Sequence, residues 1–102
     1  MNHRLPQGLV AYRHTPTFTE TTLPAGLRKR HQTKPGVWAQ ITVIEGRLRF
    51  RRLDPGDEVI LEPDTPAIVA PEEPHEVEPL GPVRFFIEFC ARPSEHAAGD
   101  AG

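Results

Sequence analysis

The sequence predicts an all-β fold, and three observations carry that prediction. Apolar and polar residues alternate with a period of two from residue 37 onward, the spacing of a strand with one buried face. Turn sequences separate these short runs at roughly 8–12-residue intervals. The 12 prolines in 102 residues interrupt long helices and central strands. We therefore expect short strands joined by rigid turns, in a sandwich or a barrel.

The clearest strands lie in VWAQITVIEGRLRF, residues 37–50. Alternate residues from Val37 to Val43 fall on one apolar face. Because glycine supplies a positive φ without steric cost, Glu45-Gly46 is interpreted as a tight turn. Leu48 and Phe50 then point to one side of a returning strand. The segment predicts a β-hairpin.

Further strands are expected between turns in the second half of the chain. The sequence DPGD at residues 54–57 is a strong turn signal, and a short strand at 58–61 follows it. A brief apolar run covers 67–70. Leu80-Gly81-Pro82 predicts one more turn, between a strand that starts at His75 and a last strand, VRFFIEFCA.

The two ends of the chain are less regular. LVAYRH, residues 9–14, is interpreted as an early strand, and LRKRH, residues 27–31, as a strand that leads into His31. The segment 92–102, RPSEHAAGDAG, is small, polar and glycine-rich, which predicts a disordered tail. The chain is thus expected to hold one domain, residues 1–91.

Composition excludes several classes of protein. The net charge of -2 argues against a dedicated nucleic-acid binder, which usually carries a basic surplus. No apolar run reaches the roughly 18 residues that a membrane span needs, and none resembles a signal peptide. A single cysteine allows no intrachain disulfide, which fits a reducing compartment. A cytoplasmic protein without nucleic-acid or membrane partners is expected.

Two of the five histidines are candidates for a functional site. His31 and His75 each lie at the edge of a strand that should line the barrel. Divalent transition metals favour imidazole nitrogen, and two histidines with one carboxylate form a familiar ligand set. Glu78 and Glu88 are the candidate carboxylates, although strict alternation places Glu78 on the opposite face from His75. Residue pattern alone leaves open that both histidines are hydrogen-bonded structural residues.

Other charged and reactive residues receive simpler interpretations. The arginine row from Arg47 to Arg52 is interpreted as the wet face of a strand. Glu72, Glu73 and Glu76 are interpreted as solvated loop charges. Cys90, in a largely apolar strand, is interpreted as inert packing.

Two long segments resemble a known family. They are TLPAGLRKRHQTKPGVWAQITVIEGRLRF, residues 22–50, and PEEPHEVEPLGPVRFFIEF, residues 71–89. Together they resemble the TehB/YeaR-like domain family of small cupin-like proteins associated with tellurite resistance. The resemblance extends over roughly residues 5–91, and RHQTKPGVW and PHEVEPL are its most specific parts.

The resemblance implies a fold and a ligand set. The fold would be a single-domain, cupin-like β-barrel, that is, a double-stranded β-helix or jelly roll, which often forms a homodimer. His31 and Thr33 would occupy the paired-histidine positions of the first cupin motif, and His75 the histidine of the second. Glu78 or Glu88 would complete a site for a divalent metal such as zinc, iron, manganese or nickel.

The resemblance also implies a class of function. The expected protein binds a divalent metal or a small anionic ligand and contributes to tellurite, oxyanion or stress tolerance. One alternative is a non-metal interaction or ligand-binding module that forms a dimer. A second is a metal-dependent enzyme, an oxygenase or isomerase, so whether the protein is an enzyme is left open. Methyltransferase activity, known for some larger members, is not carried over because the chain has no glycine-rich cofactor loop.

Overall fold

The structure, a computed structural model, describes residues 5–54 and 56–93, and these residues form an all-β fold. One short 3₁₀ helix, Ala25–Arg28, lies between the second and third strands. The strands are β1 Val10–His14, β2 Phe18–Thr19, β3 Trp38–Arg52, β4 Asp57–Leu61, β5 Ala67–Val69 and β6 His75–Ala91. The predicted fold class is therefore confirmed at the level of all-β.

The strands form one six-stranded antiparallel sheet in the order β1-β6-β3-β4, with β2 added to β6 and β5 added to β3. The two long strands pair along their length, from Trp38 opposite Cys90 to Arg52 opposite His75. The other edge of β3 is taken first by β5 and then by β4. In the described part of the chain no ladder joins β1 to β4, so the sheet is open. The predicted closed barrel is corrected accordingly.

Gly46 explains why the predicted hairpin is wrong. β3 continues through this position without a turn. Its pairing with β6 is irregular between Val43 and Glu45 and again between Gly46 and Leu48. Gly46 has φ +87°, and a Cβ there would lie 2.2 Å from the Pro82 carbonyl oxygen. The irregularity moves the buried face from odd-numbered to even-numbered residues. A sequence pattern that looked like a turn is thus a bulge inside one strand.

The remaining strand predictions have mixed outcomes. The early strand and the strands near 58–61 and 67–70 are confirmed. The turn at Leu80-Gly81-Pro82 is wrong, because β6 continues through it. The strand predicted for LRKRH is also wrong, since a 3₁₀ helix occupies Ala25–Arg28 and His31 joins the sheet by a single bridge. For the predicted tail, residues 94–102 lie outside the described residues.

The core lies on one face of the sheet, and the other face carries ion pairs. Leu48, Phe50 and Phe85 are completely buried in the core. On the opposite face, Arg49 and Arg51 pair with carboxylates of β4 and β6. Within residues 5–54 and 56–93 no helix is long and apolar enough to cross a membrane.

Candidate functional site

A cavity of about 200 Å³ opens on the core face of the sheet. It lies between the sheet and the segment that contains the 3₁₀ helix. Most of its wall is apolar and comes from Phe18, Leu27, Ile41, Val69, Ile87 and Phe89. The polar side chains at the wall belong to Thr15, Thr33, His31 and His75. The cavity therefore combines an apolar body with a few polar groups, the usual composition of a small-molecule site.

The two predicted histidines are brought together. The backbone N–H of each donates to the backbone carbonyl of the other at 2.9 Å, in an isolated antiparallel bridge. Residues directly opposite in an antiparallel pair point to the same face. Their rings accordingly meet edge to face, with centroids 5.5 Å apart. His31 and His75 thus form one histidine pair at the cavity wall.

The protonation of His75 follows from its surroundings. Its side chain is almost completely buried, at 4% exposure, and Nδ1 lies 3.0 Å from the Glu73 carbonyl oxygen. A carbonyl only accepts, so Nδ1 carries a proton and donates it. Burial lowers the pKa of His75, although the hydrogen bond to Glu73 opposes that effect. In the neutral ring Nε2 therefore holds a lone pair and is an acceptor.

Glu73 and Arg52 hold the segment that precedes His75. Glu73 Oε1 accepts from the Ala70 backbone N–H at 2.9 Å. Arg52 Nε lies 3.1 Å from Glu73 Oε2, at ion-pair distance but without a hydrogen-bond alignment. Arg52 also donates from Nη2 to the Ile68 carbonyl at 2.8 Å. The Glu73 carbonyl that fixes the His75 tautomer is thereby anchored to β3 and β5.

Thr33 ties the same segment to the cavity wall. This buried residue donates from Oγ1 to the Val37 carbonyl at 2.7 Å and accepts from the Glu72 N–H at 3.2 Å. Glu72 has φ +60°, a left-handed conformation that is costly for a residue with a side chain. Thr33 is the residue expected in a cupin ligand position, and its hydroxyl is instead hydrogen-bonded to backbone groups.

The two predicted carboxylates lie elsewhere. Glu78 accepts from Arg49 Nη1 at 2.7 Å on the outer face of the sheet, where its side chain is 57% exposed. Glu88 lines an outer groove with His14 and Phe86. Both are on the side of β6 opposite the histidine pair, because alternate residues of a strand point to opposite faces.

Sequence reasoning missed Arg52 and Glu73, which were interpreted as a surface arginine and a loop charge. A usable signal was present for Arg52. It has the same parity as Leu48 and Phe50, the apolar residues of that half of β3, so alternation places it on the core face. For Glu73 no local pattern distinguishes it from Glu72.

Comparison with known proteins places these features in a family. The model of the TehB-like domain matches residues 13–87. A probable S-adenosyl-L-methionine-dependent methyltransferase, TehB of Haemophilus influenzae, is 35% identical over 77 residues, or 71% of this chain and 27% of that protein. YeaR of Escherichia coli K12 is 28% identical over 100 residues, which cover 88% of this chain and 84% of YeaR. The chain thus spans about a quarter of the methyltransferase relative and most of YeaR.

Two crystal structures share the fold. A protein of Escherichia coli K12 superposes with a TM-score of 0.82 at 27% identity, over 90% of this chain and 99% of its own. TehB of Haemophilus influenzae gives a TM-score of 0.80 at 29% identity, over 94% of this chain and 37% of its own.

These findings correct the predicted function and cofactor. In the described part of the chain no group of three or more His, Cys, Asp or Glu side chains could hold a metal ion. The TehB relatives are named probable S-adenosyl-L-methionine-dependent methyltransferases, a name that includes no metal. The prediction of a metal-binding cupin with zinc, iron, manganese or nickel is therefore wrong, and so is its metal-dependent oxygenase or isomerase alternative. The recognised family itself is confirmed: the chain belongs to the TehB-like domain family.

Proposed function

We propose that this chain is a binding module whose cavity takes a small, largely apolar molecule. The observation that carries the proposal is the cavity of about 200 Å³ with a mostly hydrocarbon wall. A dry apolar cavity of about 150 Å³ is enough to bind benzene. Transfer of an apolar ligand from water into such a space is favourable by about 25 cal/mol per Å² of buried surface.

The relatives support a binding module as well. The matched region makes up 84% of YeaR but only 27% of TehB. A unit found in proteins of such different length suits a role that is separable from catalysis. S-adenosyl-L-methionine, named for the TehB relatives, carries several charged groups that an apolar wall would not solvate. We expect it not to occupy this cavity.

Homodimerisation is a second proposal. Ile44 is 38% exposed on the outer face of the sheet and lines the same groove as Phe86. A second copy of the chain would cover this apolar pair. Light scattering at increasing protein concentration tests the proposal, and a monomer mass at every concentration would exclude it.

The binding proposal is tested by titrating ¹⁵N-labelled protein with toluene and, separately, with S-adenosyl-L-methionine. We expect toluene to shift the amide signals of Ala39, Ile87 and Phe89 in a saturable manner. S-adenosyl-L-methionine should leave them unchanged. Saturable shifts with S-adenosyl-L-methionine and none with toluene would overturn the proposal.

A variant of the cavity wall sharpens this experiment. Gly26 lines the cavity, and a Cβ at this position would meet no atom within 4 Å. Gly26→Leu should therefore occupy open space without backbone strain and weaken toluene binding. Ala25→Leu, at the exposed neighbouring position of the same 3₁₀ helix, is the matched control and should bind toluene as the parent does. Equal binding by both variants would count against this cavity as the site.

A further inference from the structure

The histidine pair gives the cavity a specific chemical preference. We infer that its ligand carries one hydroxyl group, as in a phenol or a short apolar alcohol, and that this hydroxyl bridges His75 and His31. This inference rests on the proposed function, since it names the ligand class of the same cavity.

His75 supplies the acceptor of this site. Its Nδ1 proton is committed to the Glu73 carbonyl at 3.0 Å, and Nε2 keeps a lone pair. Among the described residues Nε2 makes no hydrogen bond, whereas Nδ1 makes the one to Glu73. A ligand that fills the cavity displaces water from this acceptor, which costs the hydrogen bond that the water would make. A ligand that donates a proton to Nε2 restores one.

His31 supplies the donor. Its Nδ1 is buried and has no partner within residues 5–54 and 56–93. A proton on Nδ1 would be an orphaned buried N–H, which is rarer in proteins than an unsatisfied acceptor. The favoured tautomer therefore has the proton on Nε2 and leaves the lone pair on Nδ1. Nε2–H of His31 is then available to a ligand.

A hydroxyl is the small group that matches both rings at once. It donates to the Nε2 lone pair of His75 and accepts from Nε2–H of His31. The ring centroids are 5.5 Å apart, close enough for one oxygen to contact both rings. A carboxylate offers no proton to His75, and its negative charge would face that lone pair. A hydrocarbon satisfies neither ring.

A cation beside the cavity favours a different ligand, an aromatic carboxylate. A second hollow of about 210 Å³ shares His31, Thr33 and Phe89 with the cavity and also contains Arg13. The Arg13 guanidinium lies 5.7 Å from the centroid of the Phe89 ring. If this cation governed binding, an aromatic carboxylate would bind more tightly than a phenol.

The experiment compares phenol, toluene and benzoate by calorimetric titration at pH 7.5. Phenol and toluene have nearly the same shape, so their difference isolates the hydroxyl. We expect phenol to bind about tenfold more tightly than toluene, equivalent to about 1.4 kcal/mol, and benzoate to bind more weakly than phenol. His75→Asn places an amide where Nδ1 lies, which keeps a donor for Glu73 and removes Nε2.

The variants identify the residues responsible. His75→Asn should abolish the preference for phenol over toluene while toluene still binds. His31→Phe, which keeps the ring and removes both nitrogens, should reduce the preference even if the first variant does not fold. His14→Asn is the matched control, since His14 is exposed and its Nδ1 also contacts a backbone carbonyl, that of Thr15; it should keep the full preference.

The outcomes separate this inference from the proposed function. Equal binding of phenol and toluene by the parent protein would overturn the hydroxyl inference and leave the binding module intact. Benzoate binding more tightly than phenol would also overturn it, in favour of the Arg13 side. Absence of binding by all three molecules would overturn the proposed function itself.

Discussion

Arg52 and Glu73 form an ion pair at 3.1 Å that joins β3 to the loop directly before His75. Both side chains are largely buried, at 11% and 20% exposure, unlike the ion pairs on the outer face. Arg52 also packs over the Phe50 ring, with 4.8 Å from its Cζ to the ring centroid. This pair links the rigid core to the backbone carbonyl that orients the His75 ring.

Replacing Arg52 should therefore destabilise the fold more than replacing an outer arginine. Arg52→Met leaves Glu73 and the Ile68 carbonyl without their partner, which should lower the free energy of unfolding by about 1–3 kcal/mol. Arg49→Met removes exposed pairs to Glu58 and Glu78 and should cost less than about 1 kcal/mol. Urea unfolding at pH 7.5 measures both. Equal losses would show that the Arg52 pair has no special structural role.

Gly46 should tolerate no side chain. Its φ is +87°, and a Cβ would lie 2.2 Å from the Pro82 carbonyl oxygen and 2.8 Å from the Val83 Cα. Gly46→Ala combines backbone strain with a backbone clash, so we expect a loss of about 2–5 kcal/mol in the free energy of unfolding. Gly26→Ala, where the φ and the space are both permissive, should instead be neutral or stabilise by about 0.4–1 kcal/mol. Similar thermal midpoints for the two variants would contradict the bulge geometry.

The same glycine shows where sequence patterns stop being sufficient. Alternation correctly placed Ala39 with Ile41 on one side of the strand and Leu48 with Phe50 on one side, and all four are buried in the core. The change of parity between them can arise from a turn or from a bulge. Only the close approach of β6 at Pro82 decides for the bulge, and Pro82 is far from Gly46 in the sequence. Local patterns therefore predicted the buried residues of β3 but not its path.

The candidate site, too, could be predicted only in part from the sequence. His31 and His75 could be selected from the sequence. Alternation indicated that Glu78 lies on the opposite face, although the family resemblance kept Glu78 among the candidate ligands. The bridge between the two histidines depends on two backbone hydrogen bonds between residues that β3, β4 and β5 separate in the sequence. The cavity depends on how side chains from several separate segments pack together, which no local pattern records. The residue types at the site could be predicted from the sequence, whereas the cavity between them could not.

Cys90 should react slowly with alkylating reagents in the folded protein. It is 4% exposed, and burial raises the pKa of its thiol, with the charge of Glu88 adding to that effect. Since the thiolate is the reactive form, iodoacetamide at pH 8 should modify native protein at least about a hundredfold more slowly than protein in urea. Cys90→Ala with Ala25→Cys provides an exposed reference thiol. Equal native rates for the two proteins would contradict the burial of Cys90.

Stability should decline at mildly acidic pH because of His75. Burial holds the pKa of His75 below its usual 6.5, His31 and Arg52 lower it further, and Glu73 raises it. Below pH 6.5 the unfolded chain therefore binds a proton that folded His75 does not accept until lower pH. The free energy of unfolding should consequently be fully maintained above pH 6.5 and decrease as the pH falls toward the folded pKa.

His75→Asn isolates this contribution from the other titrating groups. The difference in unfolding free energy between the parent and His75→Asn should be constant above pH 6.5 and should shift in favour of the variant as the pH falls. His14→Asn makes the same replacement at an exposed histidine and is the matched control. Urea unfolding from pH 8 to pH 5 measures all three proteins. A parent-to-variant difference that stays constant over this whole range would show that His75 is protonated as easily in the folded chain as in the unfolded one.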